Sequence, residues 1–252
     1  MKLIKSFFAC FSTYSRIPMP SVKLESDDMK YAMIFFPFVG IVIGIFEYIL
    51  FSITGLFEIP VLFRTLIAIV IPVIVTGGIH IDGYMDTVDA LSSYGDKEKK
   101  LSIMKDPNSG AFAIIYLAVY GITYLAFLYL LEEKDVLLFC SSFFISRIMS
   151  GISVVSITGA KQNGMLHSVK ENSEKKAVLV SLIIMFAVAD ILLYRINILY
   201  ALSVLILSII SYILYKRKVT KEFGGITGDT SGFYLCVLEL FLMIVVVLEG
   251  HL

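Results

Sequence analysis

The sequence predicts an all-α, polytopic helical membrane protein, and three observations carry that prediction. Hydrophobic residues make up 58% of the 252-residue chain and charged residues only 17%. Together with a mean hydropathy of +0.88, this lies outside the range of a water-soluble globular domain. The apolar residues are gathered into runs close to the roughly 20 residues needed to cross a hydrocarbon core. Basic residues, finally, fall on every second connection between those runs.

Taken in order, about seven spans are expected, at residues 33–57, 61–81, 110–131, 136–157, 177–193, 198–215 and 232–248. The apolar stretch at 7–11 is short and is followed by Arg16, Pro18 and Pro20, so a cleaved secretory signal is not expected. The second span is expected to run on as one helix through residues 82–89, then turn at Ser92-Ser93-Tyr94-Gly95. Residues 97–104 form a short amphipathic segment suited to the interface. Lys105-Asp106-Pro107-Asn108-Ser109-Gly110 resets the chain before the third span. The last long connection, Phe223-Gly224-Gly225-Ile226-Thr227-Gly228-Asp229-Thr230-Ser231-Gly232, has glycines and hydroxyls that let backbone approach a ligand. No linker or repeat divides the chain, so residues 1–252 are read as one integral membrane domain. Cys10, Cys140 and Cys236 form no paired motif and are read as core residues.

The formal net charge is zero, which gives no global attraction to nucleic acid. The distribution of charge says more. Lys2, Lys5, Arg16, Lys23 and Lys30 precede the first span; Lys97, Lys99, Lys100 and Lys105 follow the second; Lys161, Lys170, Lys175 and Lys176 follow the fourth; Lys216, Arg217, Lys218 and Lys221 follow the sixth. These are 17 of the 21 basic residues, and by the positive-inside rule they mark the cytoplasmic side, with the N-terminus inside.

The chemistry concentrates in Gly77-Gly78-Ile79-His80-Ile81-Asp82-Gly83-Tyr84-Met85-Asp86-Thr87-Val88-Asp89. Asp82, Asp86 and Asp89 are spaced by four and then three residues, which stacks them on one helix face. Like charges so placed repel unless a cation sits among them, and magnesium prefers a few carboxylates completed by substrate phosphates. The alternative is an acidic helix end paired with nearby lysines. At the C-terminal end of a long helix, acids gain nothing from the helix dipole, which counts against that alternative. His80 is a candidate ligand or proton carrier, or a hydrogen-bonded interfacial residue. Asp106 and Asp229, each beside a glycine, read singly as turn or cap residues, but lie on the same expected side as the triad. Charges within spans need partners: Arg147 either attracts a phosphate or pairs with Glu47 or Glu239, Glu239 needs a partner or polar cavity, and Asp190 is expected to be solvated near the outer end of the fifth span.

These residues resemble those of the cobalamin synthase family. The resemblance is carried by Gly77 through Asp89, by Ile103-Met104-Lys105-Asp106 with Gly110, and by Gly228-Asp229-Thr230 with Gly232. Arg16-Ile17-Pro18-Met19-Pro20 and Phe36-Pro37-Phe38-Val39-Gly40 with Gly44 extend it over almost the whole chain. Two positions depart from the pattern. Ala90 replaces a glycine after the third aspartate, and Lys161 stands where an arginine is common before Asn163-Gly164-Met165, offering a point charge in place of a bidentate fork.

The resemblance implies a Mg²⁺-dependent enzyme of the bacterial cell membrane, with its active site facing the cytoplasm. It would transfer the adenosylcobinamide-phosphate moiety of adenosylcobinamide-GDP to α-ribazole or its 5′-phosphate and release GMP. Asp82, Asp86 and Asp89 would hold the metal, with Asp89 the favoured base and Asp229 a further metal or ribazole ligand. Lys105, Lys161 and Arg147 would be phosphate contacts, with His80, Asp106, Gly228 and Thr230 also at the substrate. The partners are then these small molecules and the lipid bilayer; homo-oligomerisation is left open. Two rivals belong to other classes: a membrane prenyltransferase, which would be expected to carry a second aspartate cluster where only Asp229 stands, and a cation transporter, whose carboxylates would lie near the bilayer midplane.

Overall fold

Long apolar runs without water must satisfy their backbone groups internally, and here they do so as helices. The computed structural model describes residues 2–20, 26–160 and 174–251. In chain order the helices are α1 (Lys2–Tyr14), α2 (Ala32–Leu56), α3 (Val61–Thr76), α4 (Ile79–Ser92), α5 (Lys97–Ile103), α6 (Ala111–Tyr129), α7 (Val136–Ser156), α8 (Lys175–Ile196), α9 (Ile198–Phe223) and α10 (Gly228–Gly250).

The helix α7 is the axis of the bundle. Of its apolar stretch 83% is enclosed by protein, against 17% for α6 and for α8, which therefore present most of their surface to lipid. Exposed Ile183, Ile184 and Ile191 on α8 and Ile206, Ile209 and Ile210 on α9 would be a liability in water and are at home in a bilayer. In lipid, close helix contact depends on small residues, and α2 meets α7 through Gly40 and Gly44. A side chain on Gly40 would collide with the Phe143 carbonyl, and one on Gly44 would lie 3.0 Å from the Cys140 carbonyl. The helix α10 packs on α7, and α4 packs on α10. Cys10, Cys140 and Cys236 are free and buried, as core residues.

Among the described residues six helices are long and apolar enough to cross a membrane, and the expected second span is the exception. It does not continue as one helix through the aspartates. Gly77 (φ 67°) and Gly78 (φ 80°) adopt the left-handed conformation that terminates α3, and α4 departs at 95°. The bent pair takes the place of the seventh span. Hydropathy alone missed the break because Ile79 and Ile81 extend the apolar run past the joint.

Candidate active site

The break gives α4 its own N-terminus, so Asp82 sits in a first turn. The helix dipole there favours an acid, the opposite of the expectation for a continuous helix. Asp86 and Asp89 follow on the same face. Asp82 is exposed, while Asp86 and Asp89 are half-buried.

Two glycines bring the fourth carboxylate in. A Cβ on Gly83 would lie 2.8 Å from the backbone of Asp229, and one on Gly232 would lie 3.0 Å from the His80 carbonyl. The backbones of α4 and α10 therefore touch, which sets Asp229, in the first turn of α10, beside the triad. The register of α10 is fixed by a capping box: Thr227 Oγ1 accepts from Thr230 N (3.1 Å), and Thr230 Oγ1 accepts from Thr227 N (2.8 Å). Gly110 completes the enclosure, since any side chain there would strike the Asp89 carboxylate.

Charge in this group is poorly compensated. Partial burial, then Asp82, Asp229 and Asp89 in turn, push the Asp86 carboxyl up to about 6 from its ordinary 3.8. Among the described residues no lysine or arginine forms an ion pair with Asp82, Asp86 or Asp89. Nor, among them, do three His, Cys, Asp or Glu side chains converge to enclose an ion by themselves. An all-oxygen donor set short of positive charge, without a closed cage, suits magnesium that keeps waters and takes its remaining ligands from phosphates.

Asp82, alone of the four carboxylates, lines a cleft of about 610 Å³. Its walls include Ser12, Ser15 and Arg16 at the end of α1, Gly77 and Gly78 at the break, and Asp82. Arg16 entered the sequence reading only as part of a motif. What raises it to a site residue is a contact over sixty positions away: its side chain lies across Gly77, and its backbone N–H donates to Val75 O (2.8 Å).

The remaining candidates separate. Lys105 and Asp106 are exposed, and Asp106 closes a turn by accepting from Asn108 N and Nδ2, both at 2.9 Å. These bonds hold its carboxyl below the usual range. Thr230 is engaged in the cap and also accepts from the Tyr215 hydroxyl (3.2 Å), whereas Gly228 borders open space. Lys161, with Asn163, Gly164 and Met165, lies outside the described residues.

Arg147 and His80 face inward. Of the two options left open, Arg147 takes the ion pair: Nη1 is 3.0 Å from Glu239 Oε2, with both side chains buried, and it also donates to Phe143 O (2.9 Å). His80 is buried, its Nε2 has no hydrogen-bond partner among the described residues, and its ring is edge-on to Phe36. It lines a small apolar cavity of about 140 Å³ together with Arg147 and Glu239. Asp190 is half-buried, and its Oδ1 has no partner among the described residues.

A helical membrane protein with an acidic rim, an arginine in a cleft and no closed metal cage has the parts of an integral membrane enzyme acting on phosphate esters. The chain belongs to the cobalamin-5-phosphate synthase family, whose model matches residues 6–247. It is 36% identical to an adenosylcobinamide-GDP ribazoletransferase of Lachnoclostridium phytofermentans over 99% of this chain and 96% of the relative. A protein of the same name from Clostridium perfringens is 33% identical over 93% and 94% of the two chains. One from Fusobacterium nucleatum is 30% identical over 96% and 98%. No solved structure matches the chain.

Proposed function

We propose that this protein is a multi-pass adenosylcobinamide-GDP ribazoletransferase of the bacterial cytoplasmic membrane. It transfers the adenosylcobinamide-phosphate moiety of adenosylcobinamide-GDP to α-ribazole or its 5′-phosphate, releasing GMP. The carrying observation is a near full-length likeness to proteins of that name, in a chain whose Asp82, one of four carboxylates on neighbouring turns of α4 and α10, lines a water-open cleft. The side is proposed from charge: the connections around this site carry most of the lysines, which places the cleft in the cytoplasm.

In the reaction a ribose hydroxyl oxygen of ribazole forms a bond to the cobinamide-side phosphorus. The phosphoanhydride bond to the guanylyl phosphate breaks and the electron pair leaves with GMP. Little covalent work falls to the protein, so positioning and charge compensation dominate. Asp82, Asp86 and Asp229 are the carboxylates that would hold a divalent cation beside the anhydride. Mg²⁺ held there would neutralise the charge that develops on the leaving phosphate. Asp89 accepts the proton of the attacking hydroxyl; it is the triad member furthest from the break, and its carboxylate occupies the space that a side chain at position 110 would fill.

Membranes carrying the protein, given adenosylcobinamide-GDP, ribazole and Mg²⁺, should form joined corrinoid and GMP in equal amounts, and EDTA should stop both. GMP without incorporation would make the protein a pyrophosphatase. Turnover of a prenyl diphosphate alone would establish the prenyltransferase reading, and aspartate-dependent ion flux without chemistry the transporter.

A further inference from the structure

Charges of both signs line the cleft. Asp82 and Arg16 are both in its lining, and the Arg16 guanidinium makes no ion pair among the described residues. Arg16 is exposed, but its place is built. Ser15 Oγ donates to Phe11 O (2.7 Å) and turns the chain out of α1. The Arg16 amide is fixed to Val75 at the end of α3. Its side chain then runs over Gly77, where any Cβ would push it away and where φ is positive, so a side chain is excluded twice over. The glycine joint therefore serves two ends: it turns α4 by 95° from α3, and it clears a seat for the Arg16 side chain in the cleft that Asp82 also lines. Ser12 and Thr13 add hydroxyl donors to the same lining.

A ligand that satisfies both charges must be anionic toward Arg16 and able to share a cation with Asp82. Inorganic ions are too small to span a cleft of this volume, and a carboxylate offers no second anionic centre. A nucleoside diphosphate ester has both, and a guanidinium fork matches phosphate oxygens in pairs. We infer that the cleft between the end of α1 and the Gly77–Gly78 joint binds the diphosphate of the nucleotide substrate, with Arg16 holding the phosphate that leaves with the nucleoside. The identity of that substrate rests on the function proposed above; the site itself does not. The helix α1 thereby becomes part of the binding site, although it is too short to span the bilayer.

The test compares wild type, Arg16→Ala, Arg16→Lys and Lys99→Ala, the last an exposed lysine outside the cleft. Arg16→Ala should raise the KM for adenosylcobinamide-GDP and the inhibition constant of GMP together, each by about tenfold or more, as for loss of a charge-assisted phosphate contact. The KM for ribazole should stay put, Arg16→Lys should fall between, and Lys99→Ala should match wild type. Unchanged nucleotide KM and GMP inhibition in Arg16→Ala would overturn the inference. So would a loss shared equally by ribazole and accompanied by a lower unfolding temperature, since that marks a structural residue. Equilibrium dialysis with labelled GMP needs no turnover and separates the two layers. Arg16-dependent GMP binding by a protein that forms no corrinoid would keep the site and remove the reaction; normal turnover with Arg16-independent binding would do the reverse.

Discussion

The helix α10 carries two carboxylates in opposite circumstances. Asp229, in its first turn, joins Asp82, Asp86 and Asp89 at the rim, where negative charge accumulates and Asp86 is pushed up to about 6. Glu239 lies ten residues further along, about 15 Å deeper at 1.5 Å per residue, where Arg147 pairs with it at 3.0 Å. The buried charge is compensated by the protein, whereas Asp82, Asp86 and Asp89 beside Asp229 form no ion pair among the described residues, and their charge is left for something else to compensate. Where a fold neutralises its own charge, the group serves the fold; where it gathers like charges beside water, the missing counter-charge arrives with a ligand.

Breaking the pair should therefore give the largest effect, and it should be on stability. Glu239→Leu strands a buried guanidinium, a change of about 3–5 kcal/mol, and should sharply lower the detergent unfolding temperature. Arg147→Met with Glu239→Leu removes both charges and should recover most of the loss. A double variant as unstable as the single one would mean that the cavity beside His80 needs the charges themselves, and the contrast drawn here would fail.

At the rim the pattern should invert. Asp82→Asn, Asp86→Asn and Asp89→Asn should each lower turnover by about a hundredfold or more, as for loss of an electrostatic transition-state contact. The variants should stay folded, with stability equal to wild type or higher because a repulsion has been relieved. Asp96→Asn, whose carboxylate caps α5 by accepting from Lys99 N (2.9 Å), should leave turnover near normal. Mild and equal effects at all four positions would reduce the triad to an ordinary solvated helix.

Much of this was legible in the sequence. Length and hydropathy gave most of the helices to within a few residues, although α9 runs eight residues past its expected end through a lysine-rich stretch to Phe223, and the spacing of Asp82, Asp86 and Asp89 gave their common face. The joint at Gly77-Gly78 was not, because two isoleucines beyond it keep the local hydropathy high while only backbone conformation reveals the turn. With the joint missed, the sense of the dipole at Asp82 was inverted. Asp229 could be grouped with the triad by its place in the chain but not set against α4, since that contact depends on Gly83 meeting backbone from a helix almost 150 positions later. Arg16 was hidden for the same reason, as its role depends on packing over Gly77. The choice between Glu47 and Glu239 for Arg147 also required the packing of α7 against α10.

The smallest effect sharpens the comparison at its midpoint, where charge is half-buried and paired. Lys100 on the short interfacial helix α5 bonds to Glu222 near the end of α9, with side chains 11% and 17% exposed. That bond, and then the charge of Lys100, holds the Glu222 carboxyl below its ordinary 4.5. A depressed carboxylate contributes stability that is present above its unfolded value and is lost as pH falls through the folded one. Lys100→Met should accordingly cost only about 0.2–1 kcal/mol near neutral pH. It should also flatten the decline in unfolding temperature below about pH 4.5. The consequence for activity should be smaller still, because Lys100 pairs with Glu222 and not with an acid of the triad. If Lys100→Met instead abolished turnover while leaving the unfolding temperature intact, the pair would belong with the rim. Compensation within the protein would then no longer separate structural charges from functional ones.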